Sequence, residues 1–295
     1  MSATAPPELP GVEHHWIDTG RLLMHYAEAG DPGGEPAMLV HGWPQHFYEW
    51  RGVIPALAGA GYRVICPDLR GLGWSEAPRR GYRKEELAED LVALLDALAI
   101  ERVHLAGHDW GGFAGFLLAI LHPARVRSFL PCNIIHPWLR LSPSDLRAAP
   151  RTSYQWALST PGLNRRIVQH PAFMHRFLKT GSLNKEAWSD EDVEIFAERL
   201  RDPDRVHASA KIYRTFVTRE FWGLVRGRYR DRRLSVPTLL LFGARDFVIR
   251  PHYLEGYEPH ADDMRVELVA DAAHFIVEEK PALVAERALS LFAAT

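Results

Sequence analysis

The sequence predicts an α/β protein built on a mainly parallel, doubly wound sheet with a helical insertion, and three observations carry that expectation. Short apolar runs alternate with segments of helical spacing at both ends of the chain. The alternation stops near Asn133 and resumes at Val236-Pro237. The stretch between is rich in Arg, His and Trp, with helical spacing and little strand character. Repeated β-α alternation is the pattern of parallel strands joined by crossover helices, and a long helical interruption reads as an insert on that frame.

The elements follow in order. Residues 14–18 and 22–27 form an expected hairpin that turns at Thr19-Gly20 and adds antiparallel strands at one edge. Apolar runs predict strands at 37–40, 63–66, 103–106, 126–131, 238–242 and 265–269. Helical spacing predicts helices at 84–99, 113–121 and 281–293 in the frame, and at 152–158, 163–168, 171–180, 190–200 and 204–218 in the insert. The expected division is a core domain of residues 1–134 and 236–295 and a helical cap, or lid, of residues 135–235.

Bulk properties exclude several classes. A chain of 295 residues, 47% hydrophobic and 24% charged, buries a full core and fits neither a disordered nor a fibrous class. Its 35 basic and 37 acidic residues leave a net charge of −2, so no strong field draws it to nucleic acid or an anionic membrane. A small, weakly polar ligand is the better expectation. Cys66 and Cys132 lie in apolar runs, where a thiol packs as a small hydrophobe, and no disulfide framework is expected. Residues 1–10 lack the basic start and apolar centre of a secretory signal, which makes the cytoplasm the expected location. The longest apolar stretch, around residues 113–121, is far shorter than the roughly 18 to 20 residues that cross a bilayer. The histidines show no metal-ligand spacing, and Gly71-x-Gly73 lacks the third glycine of a dinucleotide fingerprint, so neither metal nor cofactor is expected. Nothing in the sequence fixes an oligomeric state.

The most informative segment is Val103-His104-Leu105-Ala106-Gly107-His108-Asp109-Trp110-Gly111-Gly112, a strand running into a glycine-flanked turn and a helix rich in small residues. Glycines on both sides suit a sharp strand-to-helix reversal that lifts the central side chain, here Asp109, out of the backbone. The plainer alternative is an Asp that caps the next helix. The earlier strand ends in His41-Gly42-Trp43-Pro44, a His-Gly-x-Pro turn from which the Trp43 amide can converge with that of Trp110 on one oxygen; the alternative is an ordinary Gly/Pro turn.

Together with Gly61-Tyr62-Arg63-Val64-Ile65-Cys66-Pro67-Asp68-Leu69-Arg70-Gly71-Leu72-Gly73-Trp74-Ser75, these motifs resemble the α/β-hydrolase superfamily, and within it the soluble epoxide hydrolases, over nearly the whole chain. The His-Asp-Trp-Gly-Gly elbow is shared with haloalkane and haloacid dehalogenases. The resemblance implies an α/β-hydrolase fold and a triad ordered nucleophile, acid, histidine. Asp109 is then the nucleophile, Trp43 and Trp110 supply the oxyanion hole, and Asp246, which ends the run 238–246, is the acid that orients His274, the base in the loop after the last strand. Asp246 also reads as a turn residue, and Asp271 is a nearby competitor that precedes the histidine where the family pattern expects no acid.

A carboxylate nucleophile attacks an electrophilic sp3 carbon and becomes an alkyl ester, which water activated by His274 then cleaves. The leaving group decides the reaction. An epoxide oxygen leaves as a basic alkoxide and needs an acid, whereas a halide needs only N–H donors. Tyr154 and Tyr213 sit in segments similar to those carrying the epoxide hydrolases' acid pair, and a tyrosine hydroxyl is neutral at pH 7 yet able to donate. The alternative for each is packing. His41, Pro44, Trp138 and Trp156 are expected to line an apolar substrate pocket. The implied activity is conversion of a small apolar epoxide and water to a vicinal diol. The alternatives are a dehalogenase, which His41-Gly42-Trp43-Pro44-Gln45 also suits, and a non-catalytic ligand-binding relative.

Overall fold

A computed structural model describes residues 4–139 and 153–295. Eight strands form one sheet: β1 (Val12–Asp18), β2 (Leu23–Gly30), β3 (Glu35–Val40), β4 (Tyr62–Pro67), β5 (Val103–His108), β6 (Val126–Cys132), β7 (Thr238–Gly243) and β8 (Met264–Val269). Their order is β1-β2-β4-β3-β5-β6-β7-β8. The hairpin β1-β2 joins antiparallel at one edge, and every pair from β4 through β8 is parallel.

The register explains the placement of the site. From β3 the chain moves outward to β4, then crosses back to β5 on the other flank of β3. Ligands in open α/β sheets bind beyond the carboxyl ends of strands at such a reversal. β5 is buried along its whole length, as expected of a strand covered on both faces.

The frame helices are α1 (Ile54–Gly59), α2 (Lys84–Ala97) and α3 (Asp109–Leu121), with α10 (Ile276–Glu279) and α11 (Pro281–Ala293) at the end of the chain. One face of the sheet packs on Leu87, Leu91 and Leu94 of α2 and Phe113 and Leu117 of α3. The other packs on Leu57 of α1 and Val284, Ala288 and Phe292 of α11. α3 is buried on every side from Asp109 to Ile120, the condition of a central helix rather than an amphipathic surface one.

Between β6 and β7 the described elements are helical: α4 (Ser153–Ser159), α5 (Pro161–Val168), α6 (Phe173–Gly181), α7 (Asp190–Arg199), α8 (Pro203–Thr215), a π-helical turn (Phe216–Glu220) and α9 (Phe221–Val225). Thr152, the first residue of the helix expected at 152–158, lies outside the described residues. α7 starts at a capping box in which the Ser189 hydroxyl accepts from the Asp192 N–H and the Asp192 carboxylate accepts from the Ser189 N–H.

Most boundaries shift by one to three residues from the sequence reading, and three differences concern helix termini. α3 begins at Asp109, not at residue 113, because Gly111 and Gly112, poor helix formers in isolation, are held in its first turn by packing. The helix expected at 84–99 ends at Ala97, and Ala99 takes φ +53°. The helix expected at 204–218 gives way after Thr215 to the π-helical turn, which carries the chain on to α9.

Cys66 and Cys132 are free and buried. Among the described residues no helix is long and apolar enough to cross a membrane, and no group of three or more His, Cys, Asp or Glu side chains could hold a metal ion.

Candidate active site

Asp109 sits where β5 becomes α3, with φ +46°. A left-handed backbone at a non-glycine residue costs on the order of 1–3 kcal/mol and persists only where its surroundings impose it. Two close approaches impose it here. A Cβ on Gly111 would run into the carbonyl oxygens of Val40 and His41, so β3 and the first turn of α3 touch backbone to backbone. A Cβ on Gly42 would lie 2.5 Å from the Asp109 Cβ, so the turn after β3 closes directly over Asp109.

That closure delivers the Trp43 N–H to Asp109 Oδ2 at 3.0 Å. The Trp110 N–H also stabilises the carboxylate from the helix side. Burial raises the Asp109 pKa above the ordinary carboxylate value, although His274, His108 and the two amides pull the other way.

The second carboxylate is pushed in the opposite direction. Asp246 follows β7, and its Oδ1 accepts from the Val248 N–H at 2.6 Å and the Ile249 N–H at 3.0 Å. Its Oδ2 accepts from Asn133 Nδ2 and lies beside His274 Nδ1, each at 2.8 Å. Burial works against ionisation of Asp246, but His274, Asn133 and the loop amide outweigh it and hold the pKa below the usual range. Two carboxyls whose pKa values are driven apart suit different tasks. With Nδ1 donating to Asp246, the His274 ring presents Nε2 as an acceptor. Asp271, the competing acid, is instead paired at the surface with Lys280 at 2.5 Å.

The insert places two tyrosines opposite. Tyr213 on α8 is buried, its ring 4.9 Å edge-on to Trp43, 5.8 Å from Trp110 and 6.3 Å from Tyr154 on α4. Burial raises both hydroxyl pKa values, and the Asp109 charge raises them further, which keeps both protonated. The Trp110 indole N–H favours the Tyr213 oxygen yet falls outside hydrogen-bond geometry, so Nε1 remains buried without a partner.

A pocket of about 470 Å³ adjoins this centre, lined by Ile167, Phe173, Phe177 and Phe247 with Arg166 and Arg176. The Phe177 ring lies 5.3 Å from Trp43, and the Phe247 ring lies 6.0 Å from His274. The pocket therefore opens beside Trp43 and His274 through aromatic faces.

Three expected pocket residues sit elsewhere. His41 is fully buried: Nδ1 lies 2.9 Å from the Gly42 carbonyl, and Nε2 accepts from the Leu69 N–H, so its ring braces the turn. Trp138 donates its indole N–H to the Tyr229 carbonyl at 2.8 Å and stacks on His260, which makes it a packing residue. Trp156 is 55% exposed, because it lies on the solvent side of α4 while Tyr154 turns inward. Pro44 is buried directly after Trp43 through a cis peptide bond. Gln45 donates to Glu278 at 2.9 Å.

Several supporting residues escaped the sequence reading. Glu49 and His108, both fully enclosed, form an ion pair at 2.9 Å beneath the elbow. Glu49 Oε2 also accepts the Gly42 N–H at 3.0 Å, and His108 Nε2 meets the His274 carbonyl at 2.9 Å, so one pair braces the turn after β3, the β5–α3 turn and the loop that carries His274. Burial alone would depress the His108 pKa, but Glu49, aided by Asp109, pushes it up to about 9. Asp68 accepts from the Phe47 and Trp74 amides, each at 2.8 Å, and pairs with His25 at 2.7 Å; Arg70 grips Asp90 at 2.7 and 2.6 Å. The segment from Gly61 to Ser75 is thus scaffold for the site, not part of its chemistry.

Comparison with known proteins places this geometry. Residues 36–281 match the family model for the alpha/beta hydrolase fold. The chain is 31% identical to a soluble epoxide hydrolase of Corynebacterium sp. strain C12, with 96% of this chain and 98% of that protein covered. It is 28% identical to an AB hydrolase superfamily protein, YfhM, of Bacillus subtilis, with 94% and 96% covered. The solved structure of the epoxide hydrolase CorEH without ligand superposes with a TM-score of 0.85 at 29% identity, covering 96% of this chain and 99% of that one.

Proposed function

The chain belongs to the α/β-hydrolase family and, within it, to the soluble epoxide hydrolases, and from that premise we propose that it hydrolyses an apolar epoxide to a vicinal diol through an ester on Asp109. One observation carries the reading beyond family membership. Tyr154 and Tyr213, from two separate helices of the insert, converge with their rings 6.3 Å apart, and both hydroxyls feel the Asp109 charge. A pair of neutral O–H donors facing a carboxylate nucleophile matches an electrophile whose leaving group is an alkoxide.

The steps follow from the hydrogen bonds. Asp109 Oδ2 is already engaged by the Trp43 amide, so Oδ1 is the free attacking atom. It displaces the ring oxygen from one epoxide carbon as the tyrosine hydroxyls hold and protonate that oxygen. His274 Nε2 then takes a proton from water, while Asp246 stabilises the imidazolium through Nδ1. Hydroxide adds to the Asp109 carboxyl carbon, and the resulting oxyanion forms on Oδ2, where the Trp43 and Trp110 amides support it. Collapse breaks the bond from the carboxyl carbon to Oδ1, the departing diol oxygen takes the imidazolium proton, and the proton left on the Asp109 carboxyl returns to the tyrosinate, restoring the carboxylate and its donors. In this scheme residues 135–235 act as the cap that supplies the proton donors and residues 1–134 with 236–295 as the core that supplies the triad.

A second reading, halide displacement at the same carboxylate, draws on the partnerless Trp110 Nε1, a donor suited to a large anion. Turnover of styrene oxide, 1-bromobutane and fluoroacetate, with diol and halide followed in parallel, separates the two. Diol without halide is expected; halide without diol would move the enzyme to dehalogenation and leave Tyr154 and Tyr213 as packing residues.

A further inference from the structure

Lys84, the first residue of α2, is 0% exposed, and the mechanism above gives it no task. Its ammonium donates to the Ile212 carbonyl at 2.6 Å, to Glu220 Oε2 at 3.1 Å and to Thr215 Oγ1 at 3.4 Å. It also stands 4.4 Å from the centroid of the Trp110 ring and 5.5 Å from that of Phe216. Ile212 immediately precedes Tyr213, and Trp110 immediately follows Asp109. One cation therefore touches the neighbours of both the nucleophile and a proposed proton donor, which come from opposite sides of the site.

The local backbone is shaped around this contact. The π-helical turn Phe216–Glu220 brings the Glu220 carboxylate onto the joint, where it also accepts the Lys84 N–H at 2.6 Å. Isolated π turns inside helices recur at functional sites. Thr215 adds a tie, its hydroxyl donating to the Tyr82 carbonyl at 2.8 Å. A buried ion pair is a poor source of stability, and a methionine would fill the same space without desolvating a charge. What the methionine lacks is a donor for the Ile212 carbonyl and a cation for the indole face.

We propose that Lys84 is a positioning residue for epoxide opening, holding Tyr213 in register with Asp109 by bridging the Ile212 carbonyl and the Trp110 ring. The proposal rests on the reading of Asp109 and Tyr213 given above. Tyr213 acts only while the ring oxygen leaves, so a defect transmitted through it belongs to ester formation and not to ester hydrolysis.

The test is single-turnover kinetics of the full chain with styrene oxide, in which tryptophan fluorescence follows formation and decay of the ester in wild type, Lys84→Met, Tyr213→Phe and the double variant. A displacement on the order of 1 Å costs roughly 10²-fold in a positioned reaction, so Lys84→Met is expected to slow ester formation by about that factor and leave ester decay within about twofold. In the Tyr213→Phe background the same substitution is expected to add less than about threefold to the loss, because the group it positions is gone. Equal losses in both backgrounds, or equal slowing of formation and decay, would make Lys84 a structural residue and overturn the proposal. If Tyr213→Phe itself forms ester at the wild-type rate, the assignment of Tyr213 fails; if Tyr213→Phe is slow and Lys84→Met is normal, only the role of Lys84 fails. Glu220→Gln, which keeps the shape of the joint, carries the same test should Lys84→Met not fold: a selective fall in ester formation supports the role, and unchanged kinetics refute it.

Discussion

Replacing Glu49 by Gln removes the charge from the pair beneath the elbow and preserves an oxygen for the Gly42 N–H. His108 then loses the chief group that holds its proton, leaving Asp109 and the His274 carbonyl, and the cost is the larger part of the stability that its protonation supplied. The folded-state pKa of about 9 lies above the unfolded value of 6.5, so that contribution is fully present below pH 6.5 and is lost as pH rises through 9. The rise from 6.5 to about 9, at 1.36 kcal/mol per pH unit, sets an upper bound on the order of 3 kcal/mol for the pair. Both side chains are 0% exposed, so solvent screening takes little from this figure. The unfolding entropy expected for 295 residues, about 0.6 kcal/mol/K, converts it to a fall in Tm of at most about 5 °C at pH 6. Glu278, which burial pushes up to about 8 despite Arg51, weakens the fold as pH rises from 4.5 through 8; Glu49 adds to that upward push, so its neutralisation eases Glu278 and narrows the gap further toward high pH. Thermal unfolding of wild type and Glu49→Gln from pH 6 to pH 9.5 measures the gap directly. It should be widest at pH 6 and nearly closed at pH 9.5; a gap of constant width would refute the ionic account of the pair.

The chemical roles make sharper demands. Asp109→Ala should abolish diol formation, checked by product chromatography, with the fold intact by circular dichroism. His274→Gln should still be alkylated and then stall, so intact-mass spectrometry after mixing with styrene oxide should find the protein heavier by one substrate. Asp246→Asn leaves the ring nitrogen facing an amide and should slow ester decay by about 10²–10⁴-fold with ester formation much less affected. Tyr154→Phe combined with Tyr213→Phe should abolish ester formation, read by the same fluorescence trace; full activity in that variant would remove both tyrosines from the mechanism.

Much of this architecture is legible in the residues, because its signals are local. The run from Val103 to Gly112 announces a strand, a tight reversal and a helix within ten positions, and the hairpin, the later strands and the helical interruption declare themselves by period. Asp246 and His274 depend on position relative to strands that can be counted. The supporting residues have no such signal. Glu49 reaches His108, Asn133 reaches Asp246 and Lys84 reaches Glu220 only after distant segments pack, and no spacing along the chain announces the pairing. Two of them carry a weak clue, a polar residue in apolar surroundings: Glu49 beside Trp50, and His108 at the end of an apolar run; Lys84, flanked by Arg83, Glu85 and Glu86, carries none. Residue type misleads for the tryptophans. Trp138 and Trp156 have the character of pocket walls, but helix phase and the nearest hydrogen-bond partner decide where a ring points.

Asn133 deserves a wider reading than its two hydrogen bonds. Its backbone turns at φ +43°, its amide oxygen accepts the Gly243 N–H at 3.0 Å, and its amide nitrogen serves Asp246. The polypeptide thus leaves β6 beside the far end of β7 and re-enters β7 at its opposite end, where the Phe129 N–H meets the Pro237 carbonyl, and the two parallel strands are pinned to each other at both ends without help from whatever lies between. For the closed loop, entropy rises only by about 0.6 kcal/mol for each doubling of length. Such a clasp leaves the helical segment free to vary: a longer, shorter or differently lined insert can run between Asn133 and Val236 while Asp246 and His274 stay aligned. Variation in what the enzyme accepts can then accumulate on one side of the clasp while the hydrolytic apparatus on the other is inherited unchanged.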